Sequence, residues 1–310
     1  MKQFTRTSLA VAVTLGAITA TSAAAADDEQ VQTLYLDSIV VTGEKIERTA
    51  ERTLSSVAVV TADDLRDHGD VDLQSVFERT SGVYAQSGNE NWGIRGIPVT
   101  GFDDQGPAAM NGAVSVYVDD ALQVNRLLTL NPLPLWDVEQ IEIYRGAQST
   151  TQGRNSLAGA IVMQTRNPHF DPEFAVRGNV GNYGEQGASA MANGALVDGV
   201  MAGRIAVDYQ TQDGYIDNAT LNKDANLLRT SNVRGKLLIL PSDEAELLLT
   251  LVRTEQRSGV NAVAATAGKP DYFKLYENTE THNTLEQTTA TARLDYDLSD
   301  SLVLTSVTSG

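Results

Sequence analysis

The stretch that decides the fold is IEIYRGAQSTTQGRNSLAGAIVMQ, residues 141–164. Ile141 and Ile143 alternate with polar or aromatic side chains, which predicts a β-strand. An Arg-Gly turn begins at Arg145, and a polar loop with further glycines follows it. The apolar run near Ile161 predicts a second, buried strand. The stretch therefore reads as two strands joined by a glycine-bearing polar loop.

Upstream of that stretch, the first elements are those of an α+β unit. Val57 and Val59 alternate with small or polar residues and predict a strand. Thr61, followed three residues later by Asp64, forms the pattern of a capping box that opens a short helix. Gly69 is the stop signal for that helix. A strand leading directly into a capped helix is thus expected over residues 57–69.

Further elements fill the space between that helix and the opening stretch. A second helix is predicted over residues 72–82, with one apolar face and Gly82 as its end. Residues 93–97 predict a short strand, and residues 115–122 predict a strand that enters a tight turn. Residues 135–146 predict a one-turn helix followed by the strand of the opening stretch.

Downstream of Pro168 the pattern changes to short strands with a period of two. In residues 203–210, apolar side chains alternate with charged or polar ones. A soluble β-sandwich shows this alternation, and so does a membrane β-barrel. Short connections alternate with long ones, which favours the barrel. About seven strands are predicted, over residues 174–182, 186–196, 202–212, 229–241, 244–257, 285–298 and 301–310.

The N-terminus carries an export signal and a short extended segment. Residues 1–26 combine a positive start, an apolar core and a small-residue end, as a secretory signal peptide does. Residues 27–36 show no clear period. Residues 37–45, DSIVVTGEK, place a β-branched run inside a polar terminus. Such a segment can pair with the edge of a partner's sheet, or it can form an ordinary first strand of this chain.

Composition excludes several functions. The chain has 310 residues, with 40 acidic and 23 basic side chains and a formal charge of −17, so a nucleic-acid footprint is not expected. There is no cysteine, and the spacing of His68, His169 and His282 indicates no metal site. No catalytic motif is recognisable. Adjacent aspartates such as Asp119 and Asp120 predict solvated turns or helix caps rather than paired catalytic acids. We expect neither an enzyme nor a protein with a resident cofactor.

The opening stretch resembles the plug domain of TonB-dependent outer-membrane receptors. Ala147 and Gln152 depart from the usual pattern, where Pro and Tyr are common. Residues 37–45 are similar to the TonB box of the same family, with Gly43 in place of the usual Ala. The matching residues of the opening stretch are Glu142, Gly146, Ser149, Gly153, Arg154, Gly159, Ala160 and Ile161.

The resemblance implies a mainly β architecture. An α+β plug over residues 51–168 follows a periplasmic segment at 27–50. The first strands of an antiparallel transmembrane barrel follow over residues 169–310. Seven strands cannot close a barrel of about 22 strands, so the resemblance implies the N-terminal part of a longer receptor. It also implies location in the outer membrane of a Gram-negative bacterium, as a multi-pass barrel in contact with lipid.

The resemblance also assigns roles to residues. Arg95 and Arg145 would face the barrel wall and pair with glutamates there. The plug apex would contact ligand through residues 86–92 and 101–109. The predicted ligand-binding side chains are Gln86, Asn89, Trp92 and Phe102, and the predicted TonB-binding residues are Asp37, Ser38, Ile39, Val40, Val41 and Thr42.

The function implied is TonB-dependent import of a ligand, with ferric siderophore as the leading cargo and cobalamin or a carbohydrate as alternatives. Iron would be carried as part of the ligand. TonB and its inner-membrane energising complex would be the partners. A rival of another class is an exported β-rich binding protein that transports nothing. A signalling transducer is disfavoured because too few residues precede Asp37 for an extra folded domain.

Overall fold

A computed structural model describes residues 40–41, 43, 48–49, 53, 55–85, 92–99, 112–123, 133–153, 155–259, 273–299 and 301–310. Among these residues, no helix is long and apolar enough to cross a membrane. Several predictions fall outside the described residues. They are the signal peptide at 1–26, Asp37, Ser38, Ile39 and Thr42 of the extended segment, and Gln86, Asn89 and Phe102 of the plug apex.

The first part of the described chain contains three short helices and ten strands. The helices are α1 (Ala62–His68), α2 (Leu73–Arg79) and α3 (Ser149–Gln152). The strands are β1 (Val40–Val41), β2 (Arg48–Thr49), β3 (Val57–Thr61), β4 (Val83–Ala85), β5 (Trp92–Ile94), β6 (Ile97–Pro98), β7 (Val114–Val118), β8 (Ala121–Leu122), β9 (Val138–Arg145) and β10 (Gly159–Thr165).

The two strands of the opening stretch, β9 and β10, lie at the centre of a five-stranded sheet of order β3-β9-β10-β7-β8. They pair antiparallel, with Ile143 opposite Ile161. Ile141, Ile143 and Ile161 are fully buried in a core that also receives the apolar side chains of α1 and α2. The opposite face of the sheet carries Tyr144 and Ala160, on which Val41 packs. Both faces of the central strands are therefore covered.

The helix boundaries follow their capping signals with one exception. Thr61 and Asp64 form the predicted capping box, and Gly69 ends α1 in the left-handed region with φ 70°. Asp72 caps α2 by accepting from the backbone N–H of Ser75. The predicted end at Gly82 is wrong, because α2 ends at Arg79. Gly82, with φ 80°, instead belongs to the turn before β4.

Two other local predictions are corrected by turns. The one-turn helix expected near residue 135 is a turn, in which Asp137 has φ 63°. Residues 93–97 are a hairpin rather than one strand. Arg95 and Gly96, with φ 52° and 81°, form its turn between β5 and β6. The Arg95-Gly96 dipeptide thus reverses the chain, because both residues take positive φ.

The second part of the described chain is a seven-stranded antiparallel sheet of order β11-β12-β13-β16-β17-β19-β20. All seven predicted strands are confirmed to within a few residues. Its members are β11 (Glu173–Val180), β12 (Gln186–Val197), β13 (Met201–Gln212), β16 (Leu228–Ser242), β17 (Ala245–Gly259), β19 (His282–Ser299) and β20 (Leu302–Ser309). The two long connections contribute a separate three-stranded sheet of β14 (Asp217–Asn218), β15 (Lys223–Asp224) and β18 (Lys274–Leu275).

The large sheet has an inward face toward the plug and an outward face. On β13, Arg204 and Asp208 point inward and are 4% and 3% exposed, whereas Ile205 and Tyr209 point outward and are 52% and 50% exposed. A sandwich would bury the apolar face against a second sheet. Here the charged face is the buried one, as in a membrane barrel. The mainly β, plug-and-barrel fold class predicted from the sequence is confirmed.

We expect Gly159→Ala to destabilise the plug by roughly 1–3 kcal/mol, the range for overpacking a filled core. A Cβ atom on Gly159 would lie 2.2 Å from the backbone oxygen of Tyr144, on the neighbouring central strand. Gly178→Ala is the matched control, since its Cβ would meet nothing closer than 3.9 Å. Thermal unfolding and protease resistance of the two variants check this. Equal melting temperatures would contradict the close strand contact.

Candidate functional site

A buried carboxylate at the β7–β8 turn joins the plug to the barrel. Asp119 and Asp120 form that turn with φ 47° and 66°, the two positive values of a type I′ hairpin. Asp119 accepts hydrogen bonds from the backbone N–H and the hydroxyl of Thr165, at 2.9 and 2.7 Å. Its side chain is 8% exposed and lies 3.0 Å from Nζ of Lys236 on β16. The prediction of a solvated turn is therefore wrong for Asp119.

The charges around Asp119 decide its protonation. Burial alone would raise the pKa of its carboxyl, but the positive charges of Lys236 and Arg234 and the two bonds from Thr165 outweigh burial. The pKa of Asp119 is held below its usual value, so the carboxylate stays charged. Lys236 also donates to the carbonyl of Thr165 at 2.9 Å and to Oδ1 of Asn167 at 3.0 Å. All three ammonium protons of Lys236 thus have acceptors.

A second buried pair joins the turn before β9 to the barrel. Arg204 on β13 donates through Nε and Nη2 to the two carboxylate oxygens of Asp137, at 2.9 and 2.5 Å. The third nitrogen, Nη1, donates to Glu173 at 2.9 Å. The Arg204 and Asp137 side chains are only 2% and 3% exposed. This two-bond geometry is the strong form of an arginine–carboxylate contact.

Trp136 anchors the same turn beside that pair. Its indole N–H donates to the carbonyl of Ala190 on β12 at 3.1 Å. The guanidinium of Arg177 on β11 lies over its ring, 4.9 Å from the centroid. A third ion pair joins Arg293 on β19 to Asp120 at 3.3 Å. Plug turns therefore contact five barrel strands through carboxylates or Trp136 on the plug side.

The polarity of these contacts is the reverse of the one expected from Arg95 and Arg145. In the observed pairs the plug supplies carboxylates and the barrel supplies cations. Arg95 is exposed in its hairpin turn. Arg145 donates to the carbonyls of Ser81 and Val57, at 2.8 and 3.4 Å, within the plug. In the described part of the chain neither arginine forms an ion pair, and their pairing with barrel glutamates stays a prediction.

The N-terminal segment docks on the sheet face opposite the helices. Val40 and Val41 pair antiparallel with Thr49 and Arg48. Val41 is completely buried and packs against Tyr144 and its neighbours. Gln140 donates to the carbonyl of Val40 at 2.9 Å. Of the six predicted TonB-binding residues, the structure thus describes two, and one of them is inaccessible in this state.

Gly43 lies in a tight latch, which we define as Gly43 with Glu142, Tyr144 and Gln152. The backbone N–H of Gly43 donates to Oε2 of Glu142 at 2.9 Å, and Gln152 donates to the carbonyl of Gly43. Tyr144 donates its hydroxyl to the same carboxylate oxygen at 2.5 Å. A Cβ on Gly43 would lie 2.6 Å from Cε2 of Tyr144. The glycine that departs from the family pattern is therefore the residue that fits here.

Trp92, the aromatic ligand-contact candidate within the described residues, has a different position from the one expected. Trp92 is 3% exposed, and its ring lies 4.7 Å from that of Phe77. Trp92 is thus a plug-core residue and is unavailable for stacking on a ligand. Sequence reasoning missed an exposed aromatic cluster of Tyr183, Tyr215 and Phe273. These residues lie in the connections that follow β11, β13 and β17. The ring centroids are 5.5 Å apart for Tyr183 and Tyr215, and 6.2 Å apart for Tyr215 and Phe273.

Metal ligation finds no support in the described ranges, where no group of three or more His, Asp or Glu side chains could hold an ion. His68 and His169 have ordinary partners. His68 contacts the carbonyl of Asp64 at 2.8 Å, and His169 contacts Glu173 at 3.2 Å.

Comparisons with known proteins agree with this architecture. Residues 49–160 match the family described as TonB-dependent Receptor Plug Domain. The pesticin receptor of Yersinia pestis is 29% identical over 213 residues, which are 67% of this chain and 30% of that protein. The ferrioxamine B receptor of Salmonella typhimurium is 26% identical over 175 residues, 54% of this chain and 24% of that protein. The chain therefore spans less than a third of the length of these relatives.

Solved structures show the same fold. The ferric yersiniabactin uptake receptor from Yersinia pestis superposes with a TM-score of 0.70 at 24% identity, covering 84% of this chain and 41% of that one. A siderophore receptor from Acinetobacter baumannii gives a TM-score of 0.67 at 16% identity, covering 89% and 38%. The fold and these contacts define a class of protein in which a plug domain is followed by strands of a barrel. The match of residues 49–160 to the plug-domain family confirms the resemblance seen in the sequence.

We expect Asp119→Asn to destabilise the plug–barrel contact by roughly 3–5 kcal/mol, because it leaves the buried Lys236 charge without its counter-ion. The double variant Asp119→Asn, Lys236→Met should recover most of the loss, since it removes both buried charges. Asp63→Asn is the control, as Asp63 pairs with Arg66 in the open and should cost less than about 1 kcal/mol. Unfolding of the full-length protein in detergent measures all three. A double variant no better than the single one would argue against pairing as the source of the stability.

We expect Gly43→Ala to release the N-terminal segment, because the added Cβ overlaps Tyr144. A spin label at residue 40 should become more mobile than in the parent protein, and protease should cleave near it faster. Gly235→Ala is a control with the same added atom, since Gly235 lies in a strand and a Cβ there meets nothing within 4 Å. Unchanged label mobility in Gly43→Ala would show that the latch does not hold the segment.

Proposed function

We propose that this chain belongs to an outer-membrane importer energised by TonB, with residues 37–45 as the segment that TonB binds. The observation that carries the proposal is the latch. In its described residues, a short β-segment at the start of the plug is held by a few hydrogen bonds and by the buried side chain of Val41. Once released, its main chain is free to pair with a partner's sheet edge, which is how extended segments are commonly bound.

The two sets of contacts suggest how a pull would act. The latch consists of single hydrogen bonds, each worth about 1–3 kcal/mol net. The Asp119 and Asp137 contacts are buried ion pairs, which are much costlier to break. Force applied to residues 37–45 would therefore release the segment before it separates the plug turns from the barrel wall. We propose that cargo passes through plug rearrangement that begins at the latched side.

We propose a ferric siderophore as the cargo. Support comes from relatives whose names specify ferrioxamine B and ferric yersiniabactin. A vitamin B12 transporter of Vibrio cholerae is also similar, at 24% identity over 58% of this chain, so cobalamin is the second candidate. Iron is carried within the cargo, and no resident cofactor and no chemical change of the cargo is needed. The exposed aromatic cluster of Tyr183, Tyr215 and Phe273 offers a stacking surface on the outer connections.

Deletion of residues 37–45 from the full-length protein should abolish uptake of radiolabelled ferric siderophore while binding to cells persists. The physical reason is that TonB would lose its attachment, whereas the outer connections would remain. Deletion of residues 27–35, equally long and adjacent, is the control and should leave uptake intact. Uptake that survives the first deletion would refute energy coupling through this segment. Siderophore binding without uptake in the undeleted protein would favour the non-transporting binding protein.

A further inference from the structure

One hydroxyl group connects the latch to the hairpin that carries Asp119. Tyr117 lies on β7 and donates its hydroxyl to the backbone carbonyl of Gln152 at 2.8 Å. Gln152 is the last residue of α3, and its side chain donates to the carbonyl of Gly43. Gln152 stands where the family pattern has Tyr, so that pattern does not imply this contact. Tyr117 is therefore bonded to the latch from outside it.

The strand register explains why Tyr117 reaches the latch. β7 pairs parallel with β10, and Tyr117 is opposite Val162. β10 pairs antiparallel with β9, and Val162 is opposite Glu142. Residues opposite each other on paired strands share a face of the sheet. Tyr117 and Glu142 therefore lie in one cross-strand row, on the face against which Val41 packs.

The backbone of α3 decides where the Gln152 side chain points. The helix has only four residues and no side-chain cap at its start, and a helix this short is not stable by itself. Gly153 follows it with φ 76°, a value that glycine adopts at little cost. Carbonyls at a helix end need partners from elsewhere, and Tyr117 supplies one. Its hydrogen bond is thus one of the contacts that hold Gln152 in the direction of Gly43.

The hairpin of β7 and β8 also makes the plug–barrel contact. Asp119 follows Tyr117 by two residues and lies 3.0 Å from Nζ of Lys236 on the barrel wall. The strand of the hairpin is therefore bonded to the latch, and its turn is bonded to β16. A displacement of the turn away from β16 would move β7 with it. The hydroxyl of Tyr117 would then leave the carbonyl of Gln152.

We propose that Tyr117 is a positioning residue of the latch, and that it couples docking of the N-terminal segment to the contact between Asp119 and Lys236. While that contact holds, Tyr117 orients Gln152 toward Gly43 and the segment stays docked. When the hairpin moves, Gln152 loses this support and the segment is released. Coupling of this kind is reciprocal, so release of the segment also loosens the hairpin. The consequence for TonB rests on the proposed function, whereas the coupling itself does not involve TonB.

Spin-label spectra of the full-length protein in detergent test the proposal. The chain has no cysteine, so Val40→Cys gives a single labelling site within it. The spectrum measures the ratio of docked to released segment. Tyr117→Phe removes one hydroxyl and should lower this ratio roughly fivefold, as expected for the loss of one neutral hydrogen bond. Tyr209→Phe is the matched control, because it removes a hydroxyl from the half-exposed outward face of β13, and it should leave the ratio unchanged.

A double-mutant cycle measures the coupling, which a merely structural role of Tyr117 would not produce. Asp119→Asn alone should also lower the docked fraction, because Lys236 no longer holds the turn. If this effect passes through Tyr117, adding Asp119→Asn to Tyr117→Phe should change the ratio little further. Melting temperatures of Tyr117→Phe and the parent protein should be similar, since the plug core is the same in both.

Two outcomes would overturn the proposal. One is a docked fraction in Tyr117→Phe equal to that of the parent protein. The other is an effect of Asp119→Asn that is equally large with Tyr117 and with Phe at that position, which would show that the hairpin acts on the latch by another route. Binding of the purified periplasmic domain of TonB to the parent protein is measured in parallel. Absence of that binding would count against the importer and leave the result for Tyr117 standing, so the two failures are distinguished.

Discussion

The burial of one carboxylate, that of Asp119, constrains much of the rest of this structure. A charge removed from water must be paired and hydrogen-bonded, and Asp119 meets this demand only if three elements are correctly placed. The β7–β8 turn must take two positive φ values, β10 must present Thr165, and β16 must present Lys236. Turn geometry, plug sheet and barrel register are therefore specified together. A slip of β16 by one residue would turn Lys236 outward and leave Asp119 buried alone.

The same demand explains the polarity of the plug–barrel interface. Turn residues that accept positive φ are often Asp or Asn, so Asp119, Asp120 and Asp137 bring carboxylates to the places where the plug reverses direction. The barrel supplies the cationic partners Arg204, Arg293 and Lys236 from its inward face. An arginine-rich plug would need a different set of turns. The family resemblance assigns Arg95 and Arg145 to the plug side of the interface. The contacts made by the described barrel strands are different ones, in which the plug supplies carboxylates.

Local patterns in the sequence predicted most of the fold. The period-two alternation placed all seven large strands, and the Thr61–Asp64 box with Gly69 fixed α1. The site was less predictable because its partners are distant along the chain, as with Asp119 and Lys236, which are 117 residues apart. From the sequence alone, Asp119 and Asp120 are predicted to be solvated, because nothing local indicates that Lys236 lies opposite. Trp92 is likewise predicted to be available for ligand stacking, because its contact with Phe77 has no local signal in the sequence. The latch had a local signal, since alternation places Glu142 and Tyr144 on one face, but its Gly43 partner is 99 residues away.

One strand connects the inside of the barrel with its outside. On β16, Lys236 and Arg234 are inward at even positions, and the ladder with β17 is regular from Leu228 to Ile239. The register that buries Lys236 against Asp119 must therefore turn the odd-numbered Arg229 outward. The cross-strand partner of Arg229 is then Arg257, whatever the local repulsion between them. The unfavourable meeting of two arginines on the outer surface is tolerated because it follows from an interior pairing that is far more costly to lose.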